Sequence, residues 1–261
     1  MVDNVERFLI LRVTGEGKKD TEDIVTRELP LTIVFNNREL VTLLCSPVDL
    51  KYLAIGFLSS EGLLNSKDDV KEITVDDQKG IVWIETEGGK GSDIEIPPKR
   101  LITSGGGRGA SLYNGAGVQN RASVESQARL AASEVFALIK EFQNRSQIFK
   151  TTGGVHSAAL CDAKNILVFK EDIGRHNAID KVFGECIWED IPIADRIIIT
   201  SGRISSEILL KVAKRNIPIL VSKAAPTNLG VRLANNLGVT LIGFVRGERM
   251  NIYSNGWRIT A

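Results

Sequence analysis

The sequence lacks most of the features that would commit it to an extreme class. Thirty-three basic residues nearly cancel thirty-two acidic ones, leaving a net charge of +1, so no global field favours nucleic acid or an anionic membrane surface. No apolar run approaches the roughly 18 residues of a membrane-spanning helix. The opening MVDNVERFLI has no basic flank followed by a long apolar stretch, so no secretory leader is expected. Cysteines number three (Cys45, Cys161, Cys186), far apart and without a Cys-x-x-Cys pair, which argues against a disulfide framework or a zinc knuckle. A reduced, cytoplasmic setting fits that usage. Also absent are G-x-x-x-x-G-K-[ST], a strand–G-x-G-x-x-G–helix unit, a G-x-S-x-G elbow, and the interleaved basic and aromatic residues of a single-strand binder.

What remains is an ordinary globular composition, 43% apolar and 25% charged over 261 residues, enough for a large domain or two smaller ones. Residues 1–123 read as an α+β domain. "RFLILRV" and "LTIVFNNRELVTLLC" are strand-like, the second broken by an Asn-Asn turn. In "SPVDLKYLAIGFLSSEGLL", Leu50, Leu53, Ala54 and Phe57 recur at helical spacing. Ser46 is the expected N-cap there, Pro47 the first helical residue, and Gly62 lies near the stop. The strands "VKEITVD" and "GIVWIETE" follow, and then a glycine-rich loop at 104–109 within "ITSGGGRGAS".

Residues 124–261 form the second expected domain. A helix is predicted over 124–143, with Ala131, Val135, Leu138, Ile139 and Phe142 on its apolar face. Short Ile/Val/Leu-rich runs then alternate with amphipathic segments: "NILVFKE", "DRIIIT", "PILVS" and "TLIGFV", with "RMNIYS" as a further strand. Such alternation predicts an α/β fold with a mainly parallel sheet covered by helices on both faces.

In an open α/β sheet, ligands bind beyond the carboxyl ends of the strands. The segments leaving four of these strands each carry a cation: Arg175 and His176 after the first, Arg203 after the second, Lys223 after the third, Arg246 and Arg249 after the fourth. Glycine beside arginine lets backbone approach a ligand, and helix N-termini attract phosphate. A phosphorylated ligand is therefore expected at that edge. Ser201, Ser205 and Thr227 could equally be plain N-caps there. His156, expected at the start of an apolar helix, reads either as a structural hydrogen-bonder or as a site residue. Cys161 and Cys186 lie on apolar segments and are expected to be inert, while Cys45 adjoins a strand-to-helix junction.

Several stretches, among them "TTGGVHSAAL", "EDIGRHNAIDKVFGE" and "GFVRGERMN", together resemble the formate dehydrogenase accessory protein family, FdhD/NarQ, over nearly the whole chain. The resemblance implies a cytidine-deaminase-like α/β domain and a cytoplasmic homodimer. It implies a sulfurtransferase that takes persulfide sulfur from a cysteine desulfurase and passes it to the bis-guanine-dinucleotide molybdenum cofactor of formate dehydrogenase. Carried over by position, it implies cofactor binding by Phe244, Arg246, Gly247, Glu248, Arg249, Met250 and Asn251. The strand-end residues Ser201, Arg203, Lys223, Asp172, Arg175, His176 and His156 are expected to complete that site, with GDP as an analogue of the ligand. His156 lies near where deaminases place a zinc histidine, but Ser157-Ala158 stands where their acid belongs and no Pro-Cys-x-x-Cys follows, so no zinc is expected.

The departure from the family lies in the glycine-rich loop. The family pattern there is Thr-Ser-Gly-Cys-Gly-x-Cys-Gly, and its cysteines carry the persulfide. Here Gly106 and Gly109 occupy both positions, and glycine has no nucleophile. Two readings follow: a sulfurtransferase by descent, or a non-catalytic carrier of the cofactor or escort of the dehydrogenase. Hydrolase or deaminase chemistry on a nucleotide is a third.

Overall fold

The computed structural model describes residues 4–89, the backbone of 100–102, and residues 123–261. The glycine-rich loop, with Gly106 and Gly109, lies outside the described residues.

The chain begins with a hairpin of β1 (Val5–Thr14) and β2 (Gly17–Thr26) closed by a two-residue turn. The segment GKKDTEDIVT is too charged to stand out as a strand, yet it pairs along the whole of β1. Next come β3 (Leu29–Phe35) and β4 (Arg38–Cys45), joined by Asn36 and Asn37 at φ of 47° and 62°. Two positive φ values in a two-residue loop match the right-handed twist of the strands, and asparagine tolerates them. Helix α1 (Leu50–Glu61), β5 (Val70–Asp76), β6 (Ile81–Thr86) and β7 (Arg100–Ile102) complete this half. Its sheet has the order β5-β6-β3-β4-β7. Leu31, Ile33 and Phe35 on alternate positions of β3 pack with Leu50, Leu53, Ala54 and Phe57 of α1 in one buried cluster.

The second half opens with β8 (Leu130–Ala131), α2 (Ala132–Arg145) and α3 (Gln147–Thr152). It continues through β9 (His156–Cys161), β10 (Ile166–Asp172), α4 (Arg175–Trp188), β11 (Ile197–Thr200), α5 (Ser206–Ala213), β12 (Ile219–Ser222) and α6 (Asn228–Asn236). It ends with β13 (Thr240–Arg246), β14 (Arg249–Ser254) and β15 (Ile259–Thr260). Six of these strands form one sheet in the order β10-β9-β11-β12-β13-β14. Ile198, Leu220 and Leu241 face a cluster fed by α4, α5 and α6, while Ile197, Ile199, Ile219, Val221 and Ile242 face α2. Helices thus cover both faces, which is why the strands read as continuous apolar runs.

Four expectations need correction. The sheet is mixed: β11, β12 and β13 are parallel, but β9 is antiparallel to both its neighbours and β14 antiparallel to β13. His156 therefore opens a buried strand and not a helix. The small residues of "HSAAL" fit the centre of the sheet, and Asp162 accepts from the backbone N–H of Lys164 and Asn165 to make the tight return to β10. Helix α2 begins at Ala132 instead of 124, because Glu134 reaches back to the backbone N–H of Ala131 and caps it there. Helix α1 starts after Asp49, at φ 57°, because the side chain and backbone of Ser46 are engaged by the second half of the chain. Gly62 does end α1, in the left-handed conformation.

The halves interlock through α1 and α4. A Cβ on Gly56 would lie 1.8 Å from the carbonyl oxygen of Asp180, and one on Gly184 would lie 1.8 Å from that of Tyr52. Only glycine at both positions lets the two backbones approach this closely. Ile187 and Trp188, at the end of α4, pack into the core of the first half.

Candidate functional site

Although the sheet is mixed, β10, β11, β12 and β13 share one direction, since β9 is antiparallel to both β10 and β11. Their carboxyl ends, Asp172, Thr200, Ser222 and Arg246, therefore lie along one edge. β9 runs the other way and begins there, with His156 registered against Asp172. One reversed strand thus delivers His156 to the edge that the four loops form.

Hydrogen bonds stitch neighbouring loops together. The Ser201 hydroxyl lies 3.3 Å from His156 Nδ1 and accepts from the Ser157 N–H at 3.0 Å. Ser222, with no exposed surface, donates to the carbonyl of Gly202 at 2.7 Å and accepts from the N–H of Ala224 at 2.9 Å. The N–H of Ile204 donates to Ala225, that of Thr227 to Ile204, and that of Phe244 to Ala224. Ser205 and Thr227 are N-caps of α5 and α6, accepting from Ile208 and Gly230, whereas Ser201 belongs to the loop.

Each of these loops carries at least one cation. A Cβ on Gly202 would be 2.8 Å from the Cβ of Arg175, so glycine there lets the arginine lie across the β11 loop. Burial, and then the charge of Arg203, press Arg175 below the ordinary arginine range. Burial and then Arg246 lower Lys223. Burial and then Arg175 lower His156, which favours its neutral form. The edge therefore brings the charge of Arg203 to bear on Arg175, partly offset by Glu207, and that of Arg246 on Lys223. Such an arrangement is relieved by a bound anion. Four strand spacings separate β10 from β13, about 19 Å in all, so the edge is long enough for an extended ligand.

Phe244 is the strained point. Its φ is 54°, a left-handed backbone that a bulky aromatic rarely adopts, and it falls where the β13–β14 register shifts between Gly243 and Arg246. The tight turn beyond it exposes Arg246, Gly247, Glu248 and Arg249, with Gly247 at φ 55°. Further along, Met250 packs against the core and the side chain of Asn251 donates to Tyr253 Oη at 3.4 Å.

Two sequence candidates face inward. Asp172 is fully buried, pairs with Lys181 at 2.7 Å, and accepts from Ser46 N–H, Gly174 N–H and the Asn177 amide. Its oxygens thus anchor the β10 loop to the first half of the chain. His176 is buried, with Nε2 3.5 Å from Glu207 of α5. Sequence reasoning missed Ser222 and Glu171, both short polar punctuation in apolar runs. Glu171 accepts from the backbone N–H of Ile148 and Phe149 and so holds the start of α3 beside this edge.

All three cysteines are buried. Burial pushes the thiols of Cys161 and Cys186 up to about 12, and that of Cys45 higher, with Asp172 as a second cause for the last. A thiol in that state is neither ionised near neutral pH nor reachable. Among the described residues, no three His, Cys, Asp or Glu side chains gather as a metal site would need, and no helix is long and apolar enough to cross a membrane.

The pattern of the FdhD/NarQ family matches residues 26–260. A "Sulfur carrier protein FdhD" from Bacillus pumilus is 42% identical over 258 residues, covering 98% of each chain. The protein of that name from Bacillus subtilis is 41% identical over 245 residues, 94% of this chain and 93% of its own. Among solved structures, a proposed formate dehydrogenase accessory protein from Desulfotalea psychrophila superposes with a TM-score of 0.81 at 26% identity, over 99% of this chain and all of that one.

Proposed function

The chain belongs to the FdhD/NarQ family, and we propose that it serves formate dehydrogenase maturation by holding the bis-guanine-dinucleotide molybdenum cofactor along the strand-end edge. What supports this reading is that Arg175, Arg203, Lys223 and Arg246 stand on the loops that end four like-directed strands. Such cations suit the pyrophosphates of a two-armed dinucleotide. His156, Ser201 and the N–H groups at the starts of α5 and α6 add donors, and Phe244 sits where a base can stack. Glu248, Arg249 and Asn251 border the same turn, while Asp172 and His176 hold the loops in place from behind. The deaminase-like character of the sheet is part of this proposal. Titration with GDP, and with the cofactor itself, tests it.

For the sulfur step, we favour a carrier that does not form a persulfide of its own. The chain has three cysteines and all three are buried, while the two loop positions are Gly106 and Gly109. The name of the Bacillus relatives, sulfur carrier protein, supports a second reading in which this chain itself carries sulfur; the proposed donor is a cysteine desulfurase. That reading requires a thiol to leave the core and ionise. Intact mass after incubation with desulfurase and cysteine separates the two.

A further inference from the structure

The two halves of the chain leave a cleft of about 280 Å³ between them. Residues 65–68, which follow α1, form one side. The later turns of α4 and residues 190–193 form the other, and Arg215, just past α5, completes the lining. α4 begins at Arg175 on the strand-end edge, and its residues Phe183 and Ile187 reach the cleft about 12–18 Å further along the helix. Junctions of this kind are where small-ligand sites concentrate. A water molecule takes about 30 Å³ of liquid, so the cleft has room for a ligand of roughly nine non-hydrogen atoms.

Arg215 is the feature of this cleft that the fold leaves unexplained. Its Nη1 donates to the Ser59 hydroxyl at 3.2 Å, and its Cζ lies 4.3 Å from the centre of the Phe183 ring. These two contacts hold the guanidinium in place. Nε and Nη2 are shielded from solvent, and among the described residues neither has a hydrogen-bond partner. Asp180 is the acid whose charge Arg215 feels most, but its oxygens accept from the Ser60 hydroxyl at 2.7 Å and from Lys211. Burial presses Arg215 below the ordinary arginine range, against the pull of Asp180. Nε–H and Nη2–H are the parallel donors along one edge of a guanidinium, the edge that grips a carboxylate by both oxygens. Leaving both unmet on a buried charge is costly, and an oxyanion is the partner that meets them.

We propose that this cleft binds a small organic monocarboxylate, with its carboxylate on the Nε–Nη2 edge of Arg215 and its apolar body against Phe183, Ile187, Ile191 and Ile193. The wall supplies the argument for the body, since burying apolar surface there favours an organic acid over a bare ion. The rim supplies the argument for a single charge. Lys67 is paired with Asp190 across the cleft, and Asp68 stands exposed beside them. Lys67 and Asp190 cancel, so Arg215 is the cation left for a ligand. A second negative charge would meet Asp68 with no cation to balance it, which disfavours phosphates and nucleotides. No residue of the cleft belongs to the strand-end edge, so the inference does not rest on the cofactor reading.

An NMR titration with benzoate, which matches the cleft in size and charge, tests it through the Arg215 Nε–H resonance. The resonance should move downfield and saturate with a Kd of about 1 mM or tighter. Benzamide, the uncharged analogue, and acetate, which lacks the apolar body, should each bind about tenfold more weakly or worse. Inorganic phosphate should not displace benzoate. Arg215→Met should abolish benzoate binding, and thermal melting reports whether that variant folds. Asp68→Lys changes an exposed residue and should tighten benzoate about twofold or more. No saturable shift at about 10 mM benzoate, benzamide bound as tightly, displacement by phosphate, an Asp68→Lys variant that binds no more tightly, or a folded Arg215→Met variant that binds benzoate as wild type does overturns the proposal. GDP titration reads the strand-end edge separately, so either reading can fail alone.

Discussion

Asp172 and Lys181 form an ion pair at 2.7 Å with neither side chain touching solvent. Asp172 also accepts from the backbone N–H of Ser46, and Lys181 donates to the Ser46 carbonyl, so the pair ties the strand-end edge to the first half of the chain. Removing one partner leaves a buried charge without its counterion. Lys181→Met should destabilise the protein by about 3–5 kcal/mol. Asp172→Asn with Lys181→Met should cost less than that single change. Urea unfolding of the three proteins checks it.

The second prediction concerns the contact of α1 with α4. Gly56→Ala or Gly184→Ala places a methyl group 1.8 Å from a backbone oxygen of the facing helix. The helices must separate, opening the core between them, at a cost of about 3 kcal/mol or more. Denaturant midpoints measure it. Gly62→Ala, where a Cβ meets nothing within 4 Å but φ is 81°, should cost only the strain of a left-handed alanine, about 1 kcal/mol.

Protonation of His156 gives a third. Burial and then Arg175 hold it below the ordinary 6.5, so the folded protein takes up this proton less readily than the unfolded chain. The contribution to stability is full above pH 6.5 and declines as pH falls below it. An anion seated beside Arg175 cancels part of the repulsion. In a histidine NMR titration, His156 should titrate lower than in the unfolded chain, and GDP should move its midpoint upward.

The thiols give a fourth. With Cys45, Cys161 and Cys186 buried and their ionisation suppressed, a soluble aromatic disulfide reagent should label none of them rapidly in the native protein and all three after denaturation. Incubation with a cysteine desulfurase and cysteine should leave the intact mass unchanged. A stable gain of one sulfur on a native thiol would establish the sulfurtransferase reading instead.

Much of this was legible in the sequence. The apolar runs of β10 to β13, the cations that follow each, and the caps at Ser205 and Thr227 are local signals, and they located the strand-end loops. Strand direction was not local. "HSAAL" lacks β-branched residues, and only its place between β10 and β11 makes it a strand. Nor could a sequence show that Asp172 turns inward, because its partners Ser46 and Lys181 lie far from it or on a helix whose rotation the core decides. β2 was hidden by its charges, which its mostly exposed side chains accommodate.

Calorimetric titration with GDP at low ionic strength tests the central claim most directly. Wild type should bind with measurable heat, more weakly as salt rises. Arg175→Ala and Arg246→Ala, at the two ends of the edge, should each weaken the bis-guanine-dinucleotide cofactor about tenfold or more, through the lost charge-assisted hydrogen bonds. Absence of heat with both ligands, or variants that bind both as wild type does, would contradict the account.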